Sequence, residues 1–290
     1  MEMLMKNLAQ HLKEDYERCK EQIPNTEDFL SPLLGYNDVL KAHYLICDYF
    51  ESTKHTASVF GVRDMNLLGS AIGRQRTEYD GQNKWVDEFE IMATLFFGLT
   101  KNHAFRDGNK RTALLCLLYQ LHKYGRVPSA NQNLLERLTV DVADGSIKTR
   151  NNFKEYLKKY GKHMIDSSEE DKVVYYISYY IKKYSRKLDS SYRALTYEEF
   201  NTVLRRLGAY LDNPQKNCIN VYDSSGRRVK QIGFPGWKKQ IYPKAFKETL
   251  KALHFTPENG YDYSVFMEDA EPLYKIIQDY ERPLSRLKDK

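Results

Sequence analysis

The chain has 290 residues, of which 41% are hydrophobic and 29% charged, with a formal net charge of +6 and a mean hydropathy of −0.67. That length suits two domains of ordinary size with a sizeable core. The longest clean apolar runs are about nine residues, half of what a bilayer crossing needs, so the composition excludes a membrane protein.

The first residues, "MEMLMKNLAQHLKEDYERCK", are charged throughout and lack the apolar region of a signal peptide. Four scattered cysteines, Cys19, Cys47, Cys116 and Cys218, show no metal-ligand spacing. They read as free thiols of a reducing, cytoplasmic compartment.

Residues 1 to about 160 read as mostly helical. In "LGYNDVLKAHYLICDYFEST" (34–53), Val39, Leu40, His43, Tyr44, Ile46, Cys47 and Phe50 recur at helical spacing after a cap at Asn37. "SAIGRQRTEYDGQNKWVDE" (70–88) is polar, and its Asp80-Gly81 pair predicts a short hairpin. "DEFEIMATLFFGLTKN" (87–102) becomes apolar all round, as a helix buried inside a bundle does. After residue 111, Ala113, Leu114, Leu117, Leu118 and Leu121 form the stripe of a further helix.

Residues 161–190 read as a linker helix, acidic at its start and basic at its end, with a tyrosine stripe (Tyr175, Tyr176, Tyr179, Tyr180, Tyr184). The stripe suits packing on a neighbouring domain, or stacking on RNA. Residues 191–290 read as a small α+β domain: a helix in "TYEEFNTVLRRLGAYL", strands in "NCINVYDSS" and "RRVKQIGFPGW", and a helix in "YPKAFKETLKALHF". Residues 191–254 hold twelve Lys/Arg against five Asp/Glu, net +7, whereas 255–290 are net −3. An acidic tail of this kind is expected to cover a basic face.

Between the two most apolar helices stands "NHAFRDGNKR" (102–111). Asp107 is placed to cap a helix beginning at Gly108, whose first-turn N–H groups and dipole make an anion site. Gly108 lets a phosphate approach the backbone, Asn109 can donate an amide, and Lys110 and Arg111 supply a point charge and a bidentate fork. Asp107 can also reach a Mg²⁺ that bridges two phosphates. His103 stands where a base takes a proton from a hydroxyl nucleophile, and Phe105 anchors the loop in the core. An anion cradle, a metal carboxylate, cations and a base are the parts of phosphoryl or nucleotidyl transfer.

"HAFRDGNKR" closely resembles the Fic/Doc motif, and the similarity extends over roughly residues 30–155. The resemblance implies a Fic/Doc helical bundle with a hairpin flap, ATP as co-substrate and Mg²⁺. It implies His103 as general base, Phe105 as anchor, Asp107 as metal ligand, Gly108 and Asn109 as anion hole, and Arg111 as phosphate clamp. Thr77, Glu78 and Tyr79 would belong to the flap that aligns a target segment by strand addition.

Lys110 stands where AMP-transferring members typically carry Gly. The Lys form resembles the Doc branch, implying transfer of the γ-phosphate to a protein hydroxyl, elongation factor Tu being the family's best-known target. AMP transfer is the alternative reading, and a non-enzymatic nucleotide- or RNA-binding protein the second.

The self-inhibitory Ser/Thr-x-x-x-Glu-[Gly/Asn] helix of many Fic proteins is not visible. Glu258-Asn259 is preceded by His254 at the decisive position, which leaves restraint to a separate antitoxin or to the C-terminal domain. That domain faintly resembles HicA-type folds. Its Arg205, Arg206, Arg227, Arg228, Lys230, Lys238 and Lys239 form the candidate face for RNA or a protein partner.

Overall fold

The computed structural model describes residues 8–24, 32–54, 59–129, 131–187, 195–255 and 272–287. The chain divides into two units. The first combines residues up to 188 with residues 273–290, and the second holds residues 189–272. The second unit is therefore an insertion between two passes of the first.

The first unit is mainly helical. Its elements are α1 (Gln10–Glu21), α2 (Tyr36–Lys54), α3 (Met65–Gly73), the hairpin β1 (Glu78–Tyr79) and β2 (Gln82–Asn83), α4 (Glu88–Lys101), α5 (Asn109–Lys123), β3 (Arg126–Pro128), α6 (Gln132–Ala143), α7 (Asn151–Tyr160), α8 (Glu169–Lys183) and β4 (Ser185–Lys187). Two short helices close it, α11 (Pro272–Asp279) and α12 (Glu281–Arg286).

The centre is the pair α4 and α5. α4 starts at a capping box, in which Asp87 accepts from the first turn while Glu90 reaches back to the cap. From Met92 to Thr100 every residue of α4 is buried, which accounts for the apolar run. α3, α6 and α8 pack on α4, while α2 packs on α5. β3 pairs antiparallel with β4, tying the chain after α5 to the chain after α8.

Several expectations need correction. The helix Glu169–Lys183 is not a linker. Val173, Val174, Ile177 and Ile181 are buried in the core of the first unit. The cap assigned to Asn37 is also displaced, because α2 already includes Tyr36 and the side chain that serves its start is Asp38, accepting from the Gly35 N–H. The described part of the acidic tail, 272–287, is built into the first unit. Leu273, Ile277, Leu284 and Leu287 join the core of the first unit. Glu258-Asn259 lies outside the described residues.

The second unit is built in the order α9 (Tyr197–Arg206), β5 (Tyr210–Gln215), β6 (Cys218–Tyr222), β7 (Arg228–Gly233) and α10 (Pro243–Ala252). The strands form one antiparallel sheet in the order β5-β6-β7. Leu211, Ile219, Val221 and Ile232 join Phe200, Leu204, Phe246 and Leu250 of the helices in one core. The expected helix over 196–211 stops at Arg206. Gly208 takes a φ of 81°, and Tyr210 and Leu211 open β5 instead.

Candidate active site

The loop between α4 and α5 is held by residues far away in sequence. The N–H groups of Arg63 and Asp64 donate to the Ala104 carbonyl at 2.8 and 3.2 Å, and Arg106 N–H donates to the Gly61 carbonyl at 3.0 Å. Val62 and Phe105 form an antiparallel bridge. The Asp64 side chain in turn caps α3, so the strip 61–64 is fixed at its far end.

Phe105 is buried, and its ring stacks on His43 of α2 with centroids 3.9 Å apart. The Gly61 N–H donates to His43 Nε2 at 3.2 Å, which leaves the proton on Nδ1 to be donated to Thr112 Oγ1 at 3.0 Å. Burial pushes the His43 pKa down to about 3, so the ring is neutral at physiological pH. His43 thereby joins α2, the strip 61–64, the loop anchor and the first turn of α5.

Asn109 closes the loop from within. Its Oδ1 accepts from the Phe105 N–H, and its Nδ2 donates to the Phe105 carbonyl, both at 2.9 Å. The side chain is 4% exposed. The Asn109 amide thus shapes the loop, whatever else its second N–H meets.

The cap assignment changes as well. The residue preceding α5 is Gly108, in the left-handed region at φ 75°, and no side chain caps the helix. Asp107 instead accepts from the neighbouring Gly108 N–H at 2.6 Å. The positive end of the α5 dipole is thus left without a side-chain cap, as at many anion sites.

His103 is exposed and has a φ of 50°. A non-glycine residue in that region stores about 1–3 kcal/mol of strain, held here by the hydrogen bonds on Ala104 and Phe105. Lys110 lies half-buried in the first turn of α5.

Arg111 is 9% exposed, and its guanidinium lies 4.6 Å from the centroid of the Phe50 ring. Its Nε donates to the Leu284 carbonyl of α12 at 2.9 Å. The residue expected as a phosphate clamp is thus turned toward α2 and α12, with one donor committed there.

Asp107 is half-buried, and no group of three metal-type ligands occurs among the described residues. One carboxylate beside an anion cradle suits Mg²⁺ carried by a nucleotide, since that ion keeps waters and phosphate oxygens as its other ligands.

The expected short hairpin forms. β1 and β2 pair with Glu78 opposite Asn83 and Tyr79 opposite Gln82, around Asp80 (φ 52°) and Gly81 (φ 75°). Both turn residues are left-handed, as the tightest hairpin turns demand. Thr77, Glu78 and Tyr79 are exposed, Tyr79 at 81%. Lys84, just after the hairpin, pairs with Asp171 of α8 at 2.7 Å, so α8 braces the base of the flap.

Residues 33–121 match the model of the Fic/DOC family. Over that stretch the helical unit is similar to the Fic/DOC family. The match spans α2 to α5 with the flap between them, and members of this family are generally transferases. No curated protein and no solved structure matches the chain. The Fic/Doc match ends before α6, so α6 to α8, α11, α12 and the second unit lie beyond it.

The basic residues of the second unit fall in separate parts of its fold. Arg205 and Arg206 end α9, whereas the segment holding Lys238 and Lys239 hydrogen-bonds to Tyr197 and Glu198 at its start. A ten-residue helix separates these clusters by about 15 Å. Arg228 is paired opposite Tyr222, while Lys230 bonds Glu248 of α10 at 3.1 Å, and Arg227 bonds Asp223 at 3.1 Å.

Sequence reasoning placed the loop residues but missed their supports. His43 was counted as one more position on an apolar helical stripe. Its signal was being the one imidazole in that stripe. Thr112 and Leu284 carried no signal at all.

Proposed function

We propose that this protein is a Fic/Doc-type protein kinase that transfers the γ-phosphate of ATP to a hydroxyl side chain of a target protein. The observation that carries the reading is the pairing of an exposed His103 with the uncapped start of α5, whose first turn holds Lys110.

In this reading His103 accepts the proton of the target hydroxyl. The hydroxyl oxygen attacks the γ-phosphorus, the bond to the β–γ bridging oxygen breaks, and ADP leaves with the electron pair. The α5 N-terminus and Lys110 hold phosphate oxygens. Asp107 would hold Mg²⁺ brought with the nucleotide, and the ion would offset phosphate charge. Glu78 and Tyr79 offer a strand edge to the target segment. Arg111 contributes positive charge from beneath the cradle. A translation factor such as elongation factor Tu is the proposed target class, with a separate antitoxin as restraint.

The second reading is AMP transfer, favoured if Lys110 leaves the cradle to the α- and β-phosphates. Incubation with a bacterial lysate, Mg²⁺ and ATP labelled at the γ- or the α-phosphate separates the two. Protein label from the γ position alone supports the kinase. Label from the α position replaces it with AMP transfer, and no label from either sets aside both.

A further inference from the structure

Beyond the Fic/Doc segment, α7 and α8 enclose a groove that the transfer chemistry does not use. Tyr156 and Tyr160 stand one turn apart on α7. Facing them are Tyr176, Tyr179 and Tyr180 of α8, with Tyr184 just after it. Tyr156 meets Tyr176 at 5.3 Å and Tyr179 at 5.1 Å, Tyr160 meets Tyr179 at 5.7 Å, and Tyr180 meets Tyr184 at 4.6 Å. The rings bound two adjoining cavities of about 200 and 220 Å³, which share Asn152, Tyr176 and Tyr180.

Two of these tyrosines keep their hydroxyls free of protein partners. Tyr156 and Tyr176 are 8% and 6% exposed, and neither hydroxyl has a hydrogen-bond partner among the described residues. Both residues line the cavity of about 220 Å³, and Tyr176 lines the other as well. Burial raises the pKa of Tyr156 and Tyr180 to about 12, which keeps these groups neutral donors.

The charge around the groove is positive. Lys159 and Lys183 flank one cavity beside Glu155. Arg137 and Arg150 flank the other, with Asp141 bonded to Arg150 at 2.8 Å. α7 begins at this second cavity without a side-chain cap, which adds its dipole to the same sign. A ligand that satisfies aromatic faces, phenol donors and cations together has planar rings, acceptor edges and regularly spaced anions.

We propose that the groove between α7 and α8 binds single-stranded nucleic acid, with bases on the tyrosines and phosphates on Lys159, Lys183 and the start of α7. Two joined cavities match successive nucleotides better than one, and stacking of this kind tolerates many sequences. The site is independent of the proposed transfer reaction, so either can fail without the other.

The test is fluorescence anisotropy of the full chain with a labelled RNA about ten nucleotides long, a length within the usual range of such sites. ATP and Mg²⁺ are left out so that the Fic/Doc site does not contribute. Binding should weaken as salt rises. The pair Tyr160→Ala/Tyr179→Ala and the pair Lys159→Glu/Lys183→Glu should each weaken it by about tenfold or more. Thermal melts identify any variant that has lost its fold, and Tyr179→Ala alone, at an exposed position, serves as the milder change. Arg205→Glu/Arg206→Glu in the second unit should leave binding unchanged.

Absence of binding by the unaltered chain overturns the proposal. So does binding that survives both groove pairs but is lost with Arg205→Glu/Arg206→Glu. AMP competing as well as the oligomer would replace a strand site with a single-nucleotide site.

Discussion

Arg111 Nε donates to the main-chain carbonyl of Leu284, 173 residues further along the chain. The contact joins the last residue of the Fic/Doc motif to a helix outside the Fic/Doc match. It is buried, and Leu284 itself has no exposed surface. Truncating a leucine so enclosed removes contacts that its neighbours cannot fully replace. Leu284→Ala should therefore destabilise the first unit by about 2–5 kcal/mol, read as a lowered denaturation midpoint, whereas Leu284→Met should cost less than about 1.5 kcal/mol. Equal stability of the alanine variant would show that α12 is not part of the core.

His43 predicts an acid limb to stability. Its folded pKa lies near 3, below the unfolded value of about 6.5, so the unfolded chain binds the extra proton between these values. The stabilisation is complete above about pH 6.5 and declines as pH falls toward 3, by up to about 1.4 kcal/mol per pH unit. His43→Gln, which does not titrate, should remove close to one proton from the slope of unfolding free energy against pH. An unchanged slope would mean that His43 is not buried as a neutral ring.

His103→Ala should lower transfer by about 10²–10⁴ while nucleotide binding persists, because a base acts on the hydroxyl and not on the phosphates. Calorimetric titration with ATP separates the two effects. Loss of ATP binding in this variant would assign His103 to the cradle instead.

Lys110→Gly should shift label from the γ- toward the α-phosphate. The change removes a cation and opens the space above the first turn of α5. Continued transfer from the γ position alone would show that Lys110 does not set the direction of the nucleotide.

Gly81→Val tests the flap. The valine would have to adopt a φ of 75°, which β-branched residues resist, so the hairpin turn should distort. Target modification should fall through a raised KM for the target, with ATP binding unaffected. Equal loss of both would place the hairpin in the nucleotide site.

What could be read from the sequence followed from how local its causes were. Asp87 and Glu90, or Asp80 and Gly81, act on neighbours within a few residues, and the helix and hairpin they set were legible. The cradle was legible because its residues are contiguous. Its supports were not, since Arg63 and Asp64 reach Ala104 across forty residues and His43 reaches Thr112 across sixty-nine. The bonds of Asn109 to Phe105 were hidden for the same reason, since an amide has several possible partners and only the folded loop shows that the Phe105 backbone is one of them. The tyrosines of α8 suggested a linker because a half-aromatic stripe gives no hint of what lies opposite, which turns out to include the tyrosines of α7.

The insertion of the second unit also sets an order of events at the ribosome. The Fic/Doc motif emerges early, and the whole second unit must follow before the chain from 273 onward appears. Until then Leu273, Ile277, Leu284 and Leu287 are missing from the core, and Arg111 lacks the carbonyl it faces in the finished fold. Domains that fold during synthesis usually close as soon as their own residues are out. This one has to wait for α12, so the first unit completes its core only after the whole second unit has been made.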